Sequence, residues 1–180
     1  MRRGRASALR LGWRGMDKFL VPARAAASAS DDPHNLNRFV SKQQADHARA
    51  LKELRAGQKA GCWSWWIFPT PPFVRNGVRV GSGTNRVYEL EDDREGFAYL
   101  AFGNLRANYL SIVSTMNSSL EGGVEPRRLL GIDVPRAEAS AKYFEHLARE
   151  ADDEELGDAC RRALELLKSK AKPKRKHSPE

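Results

Sequence analysis

Apolar residues that recur at steps of three and four along the chain constrain its fold more than any other feature. In residues 104–121 they occupy one side of a helix with 3.6 residues per turn, namely Leu105, Tyr109, Ile112, Val113, Met116 and Leu120. Residues 33–56 repeat this spacing, with Asp32 as a cap, Pro33 as the first helical residue and Gly57 as a stop. Both stretches predict long amphipathic helices that share a core.

Shorter stretches of the same spacing predict further helices. One begins at Asp92 or Asp93 and ends at Gly103, a single turn covers 126–130, and two more helices cover 135–150 and 152–168. The sequence therefore predicts an all-α fold: one multihelical domain of five to six helices over residues 31–168. Disordered tails, residues 1–30 and 169–180, are expected to flank it.

The middle of this domain contains a loop rich in proline and glycine. Asn76 and Gly77 suit the turn of a small hairpin, because both residues tolerate the positive φ that such a turn needs. The following GSGTN, residues 81–85, lacks the lysine and hydroxyl residue of a phosphate-binding P-loop. We interpret residues 81–85 as a loop without phosphate-binding function.

Three of the four tryptophans, Trp63, Trp65 and Trp66, lie within four residues of the segment GQKAGCWSWWIFP. Spacing cannot distinguish a strand from a short buried helix here, because nearly every residue is apolar. Pro69 ends the element. Rings at this density either form core or line a pocket, and core is the more common role of any single ring.

The formal charge of +8 is concentrated at the two ends of the chain. Residues 1–30 hold seven Arg or Lys against one Asp, residues 168–180 hold six against one Glu, and the remainder carries −3. A nucleic-acid-binding fold normally has its own cationic face. We therefore expect any contact with nucleic acid to be made by the tails and not by the folded part.

Both tails resemble targeting segments. Residues 1–30 are rich in Arg, Ala and Ser and poor in acid, as in an organellar transit peptide, but a plain disordered leader is the more common explanation of such a composition. The basic run at the carboxyl end predicts binding to a nuclear import receptor through Lys172, Lys174, Arg175 and Lys176, with a tail that only aids solubility as the alternative. The expected location is nuclear or cytoplasmic, with an organelle as the alternative.

The two cysteines, Cys62 and Cys160, form no CxxC pair, so neither a disulfide framework nor a zinc site is expected. Cys62 adjoins the tryptophans, and we interpret it as an inert buried thiol, not a nucleophile. No apolar run approaches the roughly 20 residues that span a bilayer. We predict no metal, no cofactor and no membrane partner.

The motifs LNRFVSKQ, GQKAGCWSWWIFP, GFAYLAFGNLRANYL and LLGIDVPRAEASAKYF resemble a family known as domain of unknown function 1810. The resemblance covers about residues 32–166 and implies an all-α fold, in which the tryptophan segment is helical. It implies no established activity, substrate or cofactor. Some members carry the label calpastatin, but the extended inhibitor repeats which that name requires are absent from this sequence.

Departures from the family pattern weaken a catalytic interpretation. Relatives usually have His where this chain has Cys62 and Gln where it has Thr70. In a later motif only Asp133 and Ser140 match, and Arg136 takes the place of a lysine. Any histidine-dependent chemistry of the family is therefore not expected in this protein.

The best candidate site is the meeting point of the tryptophan segment with the loop after it. Its predicted residues, an aromatic wall with a few polar groups, are Lys59, Trp63, Trp66, Ser82, Asn85, Tyr88 and Asp133. Lys59 and Arg86 favour an anionic ligand, so we predict a helical binding module for a small anionic ligand or a peptide.

Two other functions are compatible with the sequence. One is an enzyme acting on a nucleotide-like or other anionic substrate, with Asp133 as acid or base and Lys59 or Arg136 stabilising negative charge. The other is a nuclear protein that contacts nucleic acid through its basic tails. The first requires Asp133 to approach Lys59 and Tyr88 in one cleft.

Overall fold

The structure, a computed structural model, describes residues 32–168. The transit-peptide and nuclear-import predictions, the latter at Lys172, Lys174, Arg175 and Lys176, lie outside these residues. Among the described helices, none is both long enough and apolar enough to cross a lipid bilayer.

Helices dominate the described part of the chain, which confirms the all-α prediction. The five longer helices are α1 (Asn37–Arg55), α4 (Asp93–Ala101), α5 (Leu105–Glu121), α7 (Val134–Glu150) and α8 (Glu154–Lys168). The three short ones are α2 (Ser64–Ile67), α3 (Gly83–Val87) and α6 (Pro126–Leu130). Strands β1 (Val74–Arg75) and β2 (Val78–Arg79) form a small hairpin, and a 3₁₀ turn (Gly131–Asp133) joins α6 to α7.

The hydrophobic core lies where α5 meets its neighbours. α5 contacts both α1 and α8, and α7 packs along α8. Stacked rings of Tyr109 and Phe144, with centroids 4.0 Å apart, join α5 to α7, and the ring of Tyr99 in α4 packs against Phe144 at a centroid distance of 5.4 Å. These apolar faces are the ones that the helical spacing predicted.

A buried amide fixes α1 against three other helices. Gln43 Nε2 donates to the backbone oxygen of Trp66 (3.0 Å) and to the hydroxyl of Tyr99 (2.9 Å), and its oxygen accepts from Asn108 Nδ2 (2.9 Å). All three bonds satisfy polar groups removed from water. Gln43 thus holds the tryptophan segment against α1 and α4.

The first helix begins later than the sequence indicated. The sequence predicted Pro33 as the first helical residue, but α1 starts at Asn37. The helix cannot begin earlier because Asn35 has a φ of +50°. Asp32 still accepts hydrogen bonds at the start of α1: its carboxylate accepts from the backbone nitrogens of Leu36 (2.7 Å) and Asn37 (2.8 Å).

The central loop contains the predicted hairpin and one unexpected helix. Asn76 (φ +53°) and Gly77 (φ +75°) form the hairpin turn, as expected. The interpretation of residues 81–85 as loop is wrong from Gly83 onward, because α3 begins there. Ser82 makes this possible, since its Oγ accepts from Asn85 N (3.2 Å) and caps the helix.

Candidate functional site

Three parts of the chain converge at the candidate site: the tryptophan segment 59–70, the segment 73–89 that contains the hairpin and α3, and the first turn of α7. Aromatic and charged side chains from all three parts meet at this junction.

Glu53 of α1 holds the first residues of the tryptophan segment in place. Its Oε2 accepts from the backbone nitrogens of Ala60 (2.8 Å) and Gly61 (2.9 Å) and from Trp63 Nε1 (2.8 Å). Burial by itself raises the pKa of Glu53, but these hydrogen bonds and Arg49 outweigh burial and lower it. A Cβ on Gly61 would lie 2.7 Å from the Trp63 ring, so the chain needs glycine here.

Lys59 and Asp133 form an ion pair that joins the tryptophan segment to α7. Lys59 Nζ lies 2.7 Å from Asp133 Oδ2, and Ser64 Oγ donates to the same oxygen at 2.7 Å. The lysine also lies over the ring of Trp63, 5.0 Å from its centroid. Asp133 occupies the N-cap position of α7, but its carboxylate faces Lys59 and makes no capping bond.

Arg136, in the first turn of α7, is the second cation of the site. Its guanidinium donates to Asn85 Oδ1 and lies 6.0 Å from the ring of Trp65 and 5.7 Å from that of Phe73. Burial lowers the pKa of Arg136, and the charges of Asp133 and Glu89 oppose that change. The partly buried arginine thus donates to a neutral amide.

Glu89 follows α3 and is the most buried carboxylate of the site. Only 1% of its side chain is exposed, and it forms an ion pair with Arg79 of β2. Its backbone pairs with Thr70 in an isolated parallel bridge, in which Leu90 N donates to Thr70 O at 2.9 Å. This bridge places Glu89 beside the end of the tryptophan segment.

Buried polar atoms without a hydrogen-bond partner concentrate at this junction. Apart from Glu89 Oε1, which contacts Arg79, those found within residues 32–168 are Trp66 Nε1, Thr70 Oγ1, Asn85 Nδ2, Glu89 Oε2 and Asn117 Oδ1. Asn117 lies elsewhere, between α5 and α8. Four of these residues, Trp66, Thr70, Asn85 and Glu89, belong to the candidate site, whereas buried polar groups in proteins are almost always hydrogen-bonded.

The profile of a family described as "Protein of unknown function (DUF1810)" matches residues 33–165. The chain belongs to this family. The fold is similar to that of a solved structure, the conserved hypothetical protein Rv1873 from Mycobacterium tuberculosis. The TM-score is 0.61 and the sequence identity 23%, and the match covers 77% of this chain and 100% of that one. No functionally curated protein matches.

The structure brings the predicted site residues of this DUF1810 protein together in part. Lys59 contacts both Asp133 and the ring of Trp63, although Trp63 is fully buried and belongs to the core. Trp66, which is 9% exposed, packs its ring on Tyr88 with a centroid distance of 5.3 Å.

The other two predicted residues belong to α3. Asn85 is buried and bonded to Arg136, whereas Ser82 is exposed and caps the helix. The Tyr88 ring packs between Trp66 and Phe39.

Sequence reasoning missed Glu89 as a site residue. It lies between Tyr88 and Leu90, in an alternation that is typical of a polar side chain facing water. Its burial depends on the bridge to Thr70 and on Arg79, contacts that spacing does not reveal.

The interpretation of Cys62 as a buried thiol is wrong. Cys62 is exposed, because the chain bends at residues 61–62 and it is the next residue, Trp63, that enters the core. Cys160 is the buried cysteine, and burial raises the pKa of its thiol to about 12. Among residues 32–168, no three His, Cys, Asp or Glu side chains form a group that could hold a metal ion.

Proposed function

We propose that this DUF1810 protein is a helical binding module whose site accepts a small ligand with an anionic group. Arg136 carries this proposal. It is partly desolvated, bonded to a neutral amide and flanked by the rings of Trp65 and Phe73. A guanidinium in these surroundings favours a carboxylate or phosphate as its partner, because charge-assisted bonds are stronger than bonds to an amide.

The position of Arg136 on α7 supports an anion at this point. The first turn of a helix is the positive end of its dipole, where a cation is unfavourable and an anion is favourable. The carboxylate of Asp133, which precedes the helix, is bonded to Lys59 and Ser64. A ligand anion at Arg136 would therefore interact favourably with both the guanidinium and the helix end.

Lys59 has a structural part in this proposal. The sequence offered it as a cation for the ligand, but its ammonium is paired with Asp133 at 2.7 Å and 12% of its side chain is exposed. Breaking that pair to bind a ligand would leave a carboxylate without its partner. Arg136 is thus the better candidate to bind the anion, and Lys59 holds the tryptophan segment against the start of α7.

Binding to the purified full-length chain tests the proposal. Inorganic phosphate, acetate and adenosine monophosphate are titrated while tryptophan fluorescence and the melting temperature are followed, and native mass spectrometry identifies any co-purified molecule. We expect a response that Arg136→Gln weakens about tenfold or more and that Arg127→Gln, an exposed arginine of α6, leaves unchanged. No response to any probe and no co-purified molecule would overturn the proposal.

A further inference from the structure

Charges of both signs meet at the site, and most of its cations are already paired. Lys59 forms an ion pair with Asp133, and Arg79 forms ion pairs with Glu89 and Glu91. A ligand with a large net negative charge would gain little from cations that already have carboxylate partners. A ligand that carries one charge of each sign fits this set better.

Arg136 and Glu89 are opposite charges that are each bonded to another group. Arg136 donates to Asn85, whereas Glu89 is paired with Arg79 through one of its oxygens. Asn85, the partner of Arg136, lies four residues before Glu89, and the charge of Glu89 opposes the lowering of the Arg136 pKa by burial. Each of these two groups can form a further bond, so one molecule with an anionic and a cationic end can bind both.

The unpartnered atoms specify the same kind of molecule. Trp66 Nε1 and Asn85 Nδ2 can only donate hydrogen bonds, Thr70 Oγ1 can donate or accept, and Glu89 Oε2 accepts. An acceptor-rich anionic group matches the donors. Glu89 Oε2 needs a donor from the ligand, and an ammonium is the strongest one available to a small molecule.

We propose that the ligand of this site is a small zwitterion of the amino-acid type, whose carboxylate binds Arg136 and whose ammonium donates to Glu89. This inference rests on the binding function proposed above and deepens it. Trp66, Thr70 and Asn85 supply the remaining hydrogen bonds. A nucleotide, with a phosphate that carries up to two negative charges and no cationic group, satisfies the donors but opposes the carboxylate of Glu89.

Calorimetric titration of the full-length chain with each of the twenty L-amino acids tests the inference. The best binder is compared with the carboxylic acid that lacks its amino group and the amine that lacks its carboxylate; for L-phenylalanine these are 3-phenylpropionate and phenethylamine. We expect the amino acid to bind about 10- to 100-fold more tightly than either analogue, because each analogue can form only one of the two charge-assisted contacts. This comparison requires no variant, so folding defects do not affect it.

Two variants locate the ammonium. Glu89→Gln should abolish the preference for the amino acid over its deaminated analogue while the analogue still binds. Arg79→Gln breaks the same ion pair but keeps the Glu89 carboxylate, so the preference should persist. Equal loss of the preference in both variants would show that the ion pair, and not the carboxylate, sets the specificity, and would overturn the assignment.

The outcomes separate this inference from the function on which it rests. Binding of phosphate, acetate or adenosine monophosphate that depends on Arg136, with no preference for an ammonium, overturns the zwitterion and leaves the anion-binding function standing. Absence of binding to every amino acid and every anion overturns both. A preference for the amino acid that Glu89→Gln removes supports both.

Discussion

Lys59 Nζ and Asp133 Oδ2 lie 2.7 Å apart, and this contact joins the tryptophan segment to the start of α7. Ser64 Oγ donates to the same carboxylate oxygen at 2.7 Å, so two side chains of the tryptophan segment bind one atom of Asp133. The pair is largely removed from water, with 12% of the lysine and 21% of the aspartate side chain exposed. Removing one partner of a shielded pair costs more stability than removing one partner of an exposed pair, because the remaining charge is left without compensation.

We expect Asp133→Asn to lower the free energy of unfolding by about 2 kcal/mol, because Lys59 and Ser64 lose a charged acceptor. Urea denaturation measures the change. Arg94→Gln is the matched control: it removes the exposed Arg94–Asp92 pair, in which 79% of the arginine is accessible, and should cost less than about 1 kcal/mol. Equal effects of the two substitutions would contradict a special role of the Asp133 pair.

Much of the fold is predictable from sequence because the long helices each bury one face. The spacing of apolar residues in 104–121 and 135–150 matches α5 (Leu105–Glu121) and α7 (Val134–Glu150) within one residue. The short helices α2 and α3 are too brief for any such pattern. α2 followed only from the family resemblance, and α3 depends on the cap at Ser82.

The site is less predictable because its contacts connect distant parts of the chain. The aromatic density correctly drew attention to residues 63–66, and Lys59, Asn85 and Asp133 do lie at the junction. The bonding partners, Lys59 with Asp133 and Asn85 with Arg136, follow from tertiary packing. Local spacing contains no information about them.

We expect Glu53→Ala to destabilise the protein by about 2–3 kcal/mol, because it leaves Trp63 Nε1 and two backbone nitrogens without their acceptor. Thermal unfolding followed by tryptophan fluorescence measures this loss and reports on the tryptophan environment. Glu150→Ala, at the exposed end of α7, is the control and should change stability by less than about 0.5 kcal/mol. An unchanged emission spectrum in Glu53→Ala would contradict the role of Glu53 in fixing Trp63.

Asp153 should contribute to stability in a pH-dependent way. The Arg106 hydrogen bonds lower the pKa of Asp153 below its ordinary value of 3.8, and burial opposes them. Because the folded-state pKa is lowered, the stabilisation is complete above the unfolded-state value and is lost as the pH falls through the folded-state value.

Asp153→Asn should therefore reduce stability by about 1–2 kcal/mol at pH 7, and the difference from wild type should shrink below about pH 4. Asparagine can still cap α8 at Leu156 N, so this substitution isolates the ion pair from the cap. Asp158→Asn, whose side chain is 73% exposed, should show no comparable pH dependence. A difference that stays constant from pH 7 to pH 3 would contradict the assignment to Arg106.

Gly96 is required where α4 meets α7. A Cβ at this position would lie 2.5 Å from the Tyr143 hydroxyl and 2.6 Å from Leu147 Cδ1. We expect Gly96→Ala to destabilise the protein by about 1–3 kcal/mol through overpacking. Gly83→Ala at the start of α3, where no atom lies within 4 Å of the added carbon, should be neutral or stabilising. The melting temperature should therefore fall in Gly96→Ala, and in Gly83→Ala it should stay the same or rise.

The two cysteines should differ in reactivity, because Cys62 is exposed and Cys160 is buried between α5, α7 and α8. Burial raises the pKa of Cys160 to about 12, so almost no thiolate forms there at pH 8 and reagents cannot reach it. Titration of the native protein with a thiol-specific chromogenic disulfide should release one equivalent quickly and the second only after unfolding. Cys62→Ser should abolish the fast phase; a fast equivalent that persists in that variant would show that Cys160 is accessible and that the packing of α8 is looser than its contacts indicate.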